Sequence, residues 1–275
     1  MEDSMKVQDT QISEENEVQI AIELRDLVKS FGGVAAVNGV SLSIPQGTFY
    51  GIIGPNGSGK TTLVDCISGI VRDYQGSVLF DGTDITGWPI HKISQLGLLR
   101  TFQTSRLFGP MSTLSNVMIA APDQAGEKFF QAVFGRWRAA QEGPLAKARE
   151  LLASYGLSGR EDAYAAELSG GQRRLLELAR LSIMHPRAVL LDEPFAGVSP
   201  VQRAQLTRRL RGLKDDGITV VMIEHRLELV EQLCDRIGVM AEGKIIAEGC
   251  MDDLRTDKDV LSAYLGSVGH DEARM

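Results

Sequence analysis

Long hydrophobic runs are missing from this sequence: nowhere do roughly 20 consecutive apolar residues, the length a bilayer-spanning helix needs, occur together. A spanning segment is excluded on that count. Cysteine is also scarce. Cys66, Cys234 and Cys250 stand far apart, match no zinc-ligand spacing and frame no disulfide scaffold, so reduced thiols are expected. Positive charge is in deficit as well, with a formal net charge of −7, whereas general nucleic-acid binding calls for a basic surface; no nucleic-acid partner is expected. Residues 1–17 lack the basic start and apolar centre of a secretory leader, and with Glu2, Asp3, Glu14, Glu15 and Glu17 they read as a solvated acidic tail. The expectation is a cytoplasmic protein that does not itself enter a membrane. What remains, 275 residues of which 43% are hydrophobic and 24% charged, is ordinary globular composition, enough for one large domain or two small ones.

The chain is organised around Gly54-Pro55-Asn56-Gly57-Ser58-Gly59-Lys60-Thr61-Thr62. Glycine, four residues and then Gly-Lys-Thr is the phosphate-cradling pattern, and its context is right: Thr48 to Ile53 reads as a buried strand and Lys60 to Ile70 as a helix. Glycines let successive N–H groups converge on an anion, and the helix that follows adds the positive end of its dipole. Lys60 is expected to reach the β- and γ-phosphates of a nucleoside triphosphate, and Thr61 to place its hydroxyl on Mg²⁺.

Before this loop, apolar alternation over Val18 to Leu24 and Gly39 to Ile44, and after it over Ser77 to Phe80, predicts an antiparallel sheet wrapped around the strand that feeds the loop. Phe31, in the first turn of that region, either stacks on a base or is buried against the sheet. Pro89 to Leu96 reads as a short helix stopped by Gly97, and Arg100-Thr101-Phe102-Gln103 follows. Helical composition then takes over. Phe130, Val133, Phe134 and Trp137 share one helical face, for packing or for a partner helix, with Gly126, Gly143 and Pro144 expected to break the segment. Leu168-Ser169-Gly170-Gly171-Gln172 opens another helix and offers either a second anion-binding turn or mere capping. Ala188 to Leu191 has the unbroken apolar character of a buried parallel strand and ends in Asp192-Glu193, where ligands of such sheets bind. There Asp192 is suited to hold Mg²⁺ and Glu193 to orient or deprotonate a water. Ile218 to Ile223 repeats the strand pattern and ends in Glu224-His225, with His225 a candidate donor to a γ-phosphate. Met240 to Lys244 reads as a hairpin turn, and Asp259 to Leu265 as a final helix.

In order, Phe31, Gly54 to Thr62, Gln103, Leu168 to Gln172, Asp192-Glu193 and His225 closely resemble the ATPase subunit of ATP-binding-cassette transporters, from about Val18 to Gly266. The phosphate loop alone names a superfamily; the Leu-Ser-Gly-Gly-Gln string makes the resemblance specific. It implies an α/β P-loop NTPase (RecA-like) core with an antiparallel β subdomain and an inserted α-helical subdomain. ATP and Mg²⁺ are the implied ligands: Phe31 stacks on adenine, Gln103 senses γ-phosphate, Mg²⁺ and water, Glu193 is the catalytic base and His225 the switch histidine. Ser169, Gly170, Gly171 and Gln172 of one subunit would close over the nucleotide of another in a head-to-tail dimer. Asp84-Ile85-Thr86-Gly87, Pro89, His91, the Arg100 to Gln103 stretch and Glu224-His225 resemble, more narrowly, the LivG-like ATPase of branched-chain amino-acid importers. Two permeases, a second cassette ATPase and, indirectly, a periplasmic or extracellular solute-binding protein are the partners this implies, at the inner face of the cell membrane. Glu193 to Val198 also resembles a lipopolysaccharide-exporter ATPase, which lacks the long segment around Trp137. A non-membrane cassette acting on nucleic acid or ribosomes is the remaining alternative, opposed by the short span between Gln103 and Leu168. Many family members carry aspartate where this chain has Ser199.

The domain organisation expected is therefore a tail over 1–17, one ATPase domain over 18–266 and a polar tail over 267–275. Within the domain, 18–103 and 186–252 form the core and antiparallel subdomain, 104–185 the helical subdomain with the signature, and 253–266 a C-terminal helix.

Overall fold

The computed structural model describes residues 18–101, 107–122 and 137–263. Two sheets carry the architecture. Strands β1 (Ile20–Phe31), β2 (Val34–Pro45), β4 (Gln75–Phe80) and β5 (Thr83–Asp84) form an antiparallel sheet in the order β2-β1-β4-β5. Strands β3 (Phe49–Ile53), β6 (Leu98–Arg100), β7 (Ala188–Asp192), β8 (Thr219–Ile223), β9 (Arg236–Ala241) and β10 (Lys244–Gly249) form the second, ordered β10-β9-β3-β8-β7-β6. All its neighbours pair in parallel except the β9–β10 hairpin, which turns at Glu242-Gly243 as the sequence predicts.

Strands β3, β7 and β8 are buried at every residue, and their period-two alternation divides them between two cores. Phe49, Val189, Leu191, Val220 and Met222 face the helices α5 (Gly170–Ser182), α6 (Pro200–Asp215) and α7 (Leu227–Leu233). Tyr50, Ile52, Leu190, Val221 and Ile223 face helix α1 (Lys60–Ile67) and the antiparallel sheet, through Leu63, Ile67, Leu24, Val78 and Phe80. The parallel register sets Ile52 and Asp192 both beside Ile223, so the phosphate loop, Asp192-Glu193 and Glu224-His225 leave the sheet at the same carboxyl edge.

Several elements differ from the sequence reading. Helix α1 stops at Ile67 rather than Ile70, because Gly69 turns left-handed (φ 74°) beneath the carbonyl of Trp88, too close for any Cβ. Strand β1 runs on to Phe31 instead of ending at Leu24; Asp26, at φ 48°, lies where its register shifts against both neighbours. Helix α4 (Trp137–Ser154) continues straight through Gly143 and Pro144, which do not break it. Two short elements had no periodic signal: the edge strand β6, and α3 (Thr113–Met118), whose cap Ser112 accepts from the Ser115 N–H. Pro89 caps α2 (Ile90–Gln95), a short helix near its expected place. At the C-terminal end, α8 (Met251–Arg255) precedes a helical stretch at 258–263. The stripe residues Phe130, Val133 and Phe134 lie outside the described residues.

Candidate active site: a cavity at the carboxyl edge of the sheet

The loop between β3 and α1 has the backbone that its glycines allow. Gly54, Gly57 and Gly59 take φ of 146°, 78° and 102°. A Cβ on Gly54 would strike the Met240 carbonyl and one on Gly59 the Ala36 carbonyl, whereas one on Gly57 would meet open space. The first and third glycines thus seat the loop on β9 and β2, and the second opens toward the cavity. Lys60 is buried and folded back across the loop, its Nζ donating to Gly54 O at 2.9 Å and Pro55 O at 2.8 Å. Burial lowers its pKa, opposed by the carboxylates of Glu193 and Asp192.

The cavity beside this loop holds about 220 Å³ and is lined by Asn56, Gly57, Lys60, Thr61, Glu193 and His225, with neighbours including Thr62 and Ala36. Those residues come from β2, the β3–α1 loop, the end of β7 and the end of β8. Folding therefore brings together the phosphate loop, Glu193 and His225. Glu193 sits in the left-handed region at φ 45°, an uncommon conformation for a side-chain-bearing residue, held by its N–H donating to Ile223 O at 3.0 Å. Its Oε1 lies 2.7 Å from His225 Nε2.

Asp192 stays behind this cavity, 5% exposed, its pKa pushed up by burial and held back by Arg100. Arg100, at the end of β6, donates through Nη2 to Asp192 Oδ2 at 3.2 Å and through Nη1 to Ser68 Oγ at 3.1 Å and to Asp65 Oδ1. One buried guanidinium ties β7 to α1, a contact the sequence did not signal because Arg100 lies 32 to 92 positions from its partners. Phe31, at the tip of β1, is 51% exposed rather than buried, and Lys29 Nζ stands 4.7 Å from its ring centre. Gln103 lies outside the described residues.

Ser169 and Gln172 form a complete capping box on α5: the Gln172 N–H donates to Ser169 Oγ at 3.3 Å and the Ser169 N–H to Gln172 Oε1 at 3.0 Å. Gly170 and Gly171 are the first residues of that helix, and none of Ser169 to Gln172 lines the cavity at the phosphate loop. A second and larger cavity, about 430 Å³, opens between α2, β6 and α5, with Ile90, Phe108, Arg180 and Met184 among its walls and Arg100 at its floor.

The profile of the ABC transporter family matches residues 37–196. This chain belongs to the ABC transporter family. A probable branched-chain amino acid transport ATP-binding protein LivG from Archaeoglobus fulgidus is 41% identical over 246 residues, 90% of this chain and 95% of the relative. The high-affinity branched-chain amino acid transport ATP-binding protein BraF of Pseudomonas aeruginosa is 36% identical over 90% of this chain and 98% of its own. Among solved structures, a nucleotide-free ATP-binding cassette from an ABC transporter superposes with a TM-score of 0.77 at 35% identity, covering 89% of this chain and 98% of the other. An ADP-bound cassette gives 0.76, also at 35%, covering 90% and 99%. The protein is thus a nucleotide-binding cassette ATPase on a P-loop NTPase fold, an energising subunit of a transporter. Among the described residues no helix is long and apolar enough to cross a membrane.

Proposed function

We propose that this chain hydrolyses ATP at the phosphate-loop cavity to drive uptake of branched-chain amino acids or a related small polar solute through two permease subunits. The observation that carries the chemistry is the shared cavity of Lys60, Glu193 and His225 at the end of β3, β7 and β8. The N–H groups of Asn56 to Thr62 and the Lys60 ammonium are suited to the polyphosphate, and Phe31 offers an exposed ring to adenine. Thr61 and Asp192, with Gln103, are the hard oxygen donors that would hold Mg²⁺, which would supply charge neutralisation of the polyphosphate. Glu193 takes the water's proton as general base, and His225, hydrogen-bonded to it, holds that carboxylate in place and lines the same cavity as the phosphate loop. The solute class rests on the relatives named for branched-chain amino acid transport, at 34–41% identity.

The domain limits, with a helical subdomain over 104–185 between the parts of the core, belong to this reading. So does the pairing of two cassettes, with Ser169 to Gln172 of one facing the nucleotide of the other, and docking of a permease helix in the larger groove lined by Ile90, Phe108 and Met184. The peripheral location at the inner face of the membrane follows from that docking. Affinity capture of tagged Glu193→Gln protein from native membranes in Mg·ATP tests it. Recovery of two different polytopic permeases and a second cassette ATPase is the expected outcome. A lipid-export complex would overturn the substrate class, and soluble nucleic-acid machinery alone would overturn the transport role.

A further inference from the structure

Lys29 is 6% exposed, unusual for a lysine, yet it stands two residues before the end of β1 at the tip of the β1–β2 hairpin. Its Nζ donates to the Asp73 carbonyl at 2.8 Å and pairs with Asp73 Oδ2 at 2.7 Å, in the segment that follows α1. An ammonium has three N–H bonds to give, and with two spent on Asp73 one is left. The Phe31 ring stands over the same Nζ, its centre 4.7 Å away.

The tip that carries Phe31 is open. Phe31 pairs with Val34 across Gly32-Gly33, both left-handed, and a Cβ on either glycine would meet open space, so the turn is not wedged against the rest of the protein. The ring itself is 51% exposed. Two residues beyond Val34, Ala36 lines the cavity at the phosphate loop and its carbonyl lies against Gly59, so the hairpin leads from the cavity to the ring. An exposed phenyl group has rotamers to lose when a base stacks on it, and an ammonium fixed on one face removes them beforehand. The cation also draws on the π-electrons, and the opposite face then presents less negative charge to the π-cloud of a purine.

From this we infer that Lys29 is a positioning residue that, anchored on Asp73, holds the Phe31 ring in place for stacking by the base of the bound nucleotide. The inference deepens the adenine reading above and rests on it. Lys29 acts here through the ring alone, so its loss should be felt only by ligands that carry a base.

The test is isothermal titration of the full-length Glu193→Gln chain with ATP and with inorganic tripolyphosphate, which has neither base nor ribose, both in Mg²⁺. Lys29→Met, Lys29→Arg and Phe31→Ala are added singly, and Lys29→Met is combined with Phe31→Ala. We expect Lys29→Met to weaken ATP binding roughly 3-fold or more with tripolyphosphate affinity unchanged, and Lys29→Arg, which keeps a cation at the ring, to restore most of the loss. The double variant should bind ATP no more weakly than Phe31→Ala alone. Lys29→Gln, which keeps a donor for the Asp73 carbonyl and loses the charge, replaces Lys29→Met if that variant does not fold, with the same result expected. Unchanged ATP affinity, an equal loss for ATP and tripolyphosphate, or a loss additive with that of Phe31→Ala overturns the inference. ATP affinity indifferent to Phe31→Ala overturns the adenine reading itself, and the role of Lys29 with it.

Discussion

Glu193 shows most compactly how a side chain acquires its chemistry here. It stands one residue past a buried strand, in a left-handed conformation fixed by the Ile223 carbonyl, with His225 on its carboxylate. Replacing it by glutamine keeps the shape and removes the proposed base, so ATP binding should persist while phosphate release falls at least ~10²-fold, as measured by steady-state assay. Near-normal turnover would remove Glu193 from that role. Its neighbour Glu224 is placed differently. It is 4% exposed, Oε2 has no partner among the described residues, and burial raises its pKa. A carboxyl whose folded pKa lies above its unfolded one favours the fold below the unfolded value and loses that contribution as pH rises through the folded value. Glu224→Gln should therefore raise Tm at pH 7–8 and much less at pH 4, by about 2–4 °C for each ~1 kcal/mol relieved, in thermal unfolding scans.

Between elements, the contacts that matter most are those that no local pattern announces. Arg100 joins Asp65 and Ser68 on the α1 side to Asp192 at the end of β7. Arg100→Met would leave two carboxylates without their shared cation, and we expect a loss of ~3–5 kcal/mol, read as a lower urea midpoint. A midpoint within error of the parent would mean that the charges are better solvated than their burial indicates. The phosphate loop is similarly braced: Gly59→Ala sets a Cβ against the Ala36 carbonyl at φ 102°, costing at least ~1–2 kcal/mol for the backbone alone and displacing the loop from β2. Both Tm and nucleotide affinity should fall together. Helix and strand types were legible where burial was complete, as in β3, β7 and β8, because a short unbroken apolar run ended by glycine or by charged residues suits a strand covered on both faces. They were illegible in β6, three residues long, and at Pro144, where the helix runs on although the residue lacks an N–H to bond within it.

At the scale of the whole molecule, the nucleotide cavity and the larger apolar groove are separate, with Arg100 at the floor of the second and bonded to Asp192 behind the first. Met184→Glu, on the rim of that groove, should abolish recovery of permeases in membrane capture while leaving nucleotide affinity unchanged; intact recovery would move the docking surface elsewhere. By itself the sequence determined the phosphate loop, the carboxylates at the strand ends and the membership that the family match confirms, because each depends on residue type at short spacing: glycine where φ is positive, charge where an apolar strand stops. Only the tertiary structure decided the strand order that sets β8 between β3 and β7, the Arg100 tie and the Gln202 bridge from α6 to Ser169. The Gln202 bridge spans 33 positions and the Arg100–Asp192 bond 92, and at such separations a partner is chosen by packing and by unfilled hydrogen-bonding capacity, which the order of residues does not display.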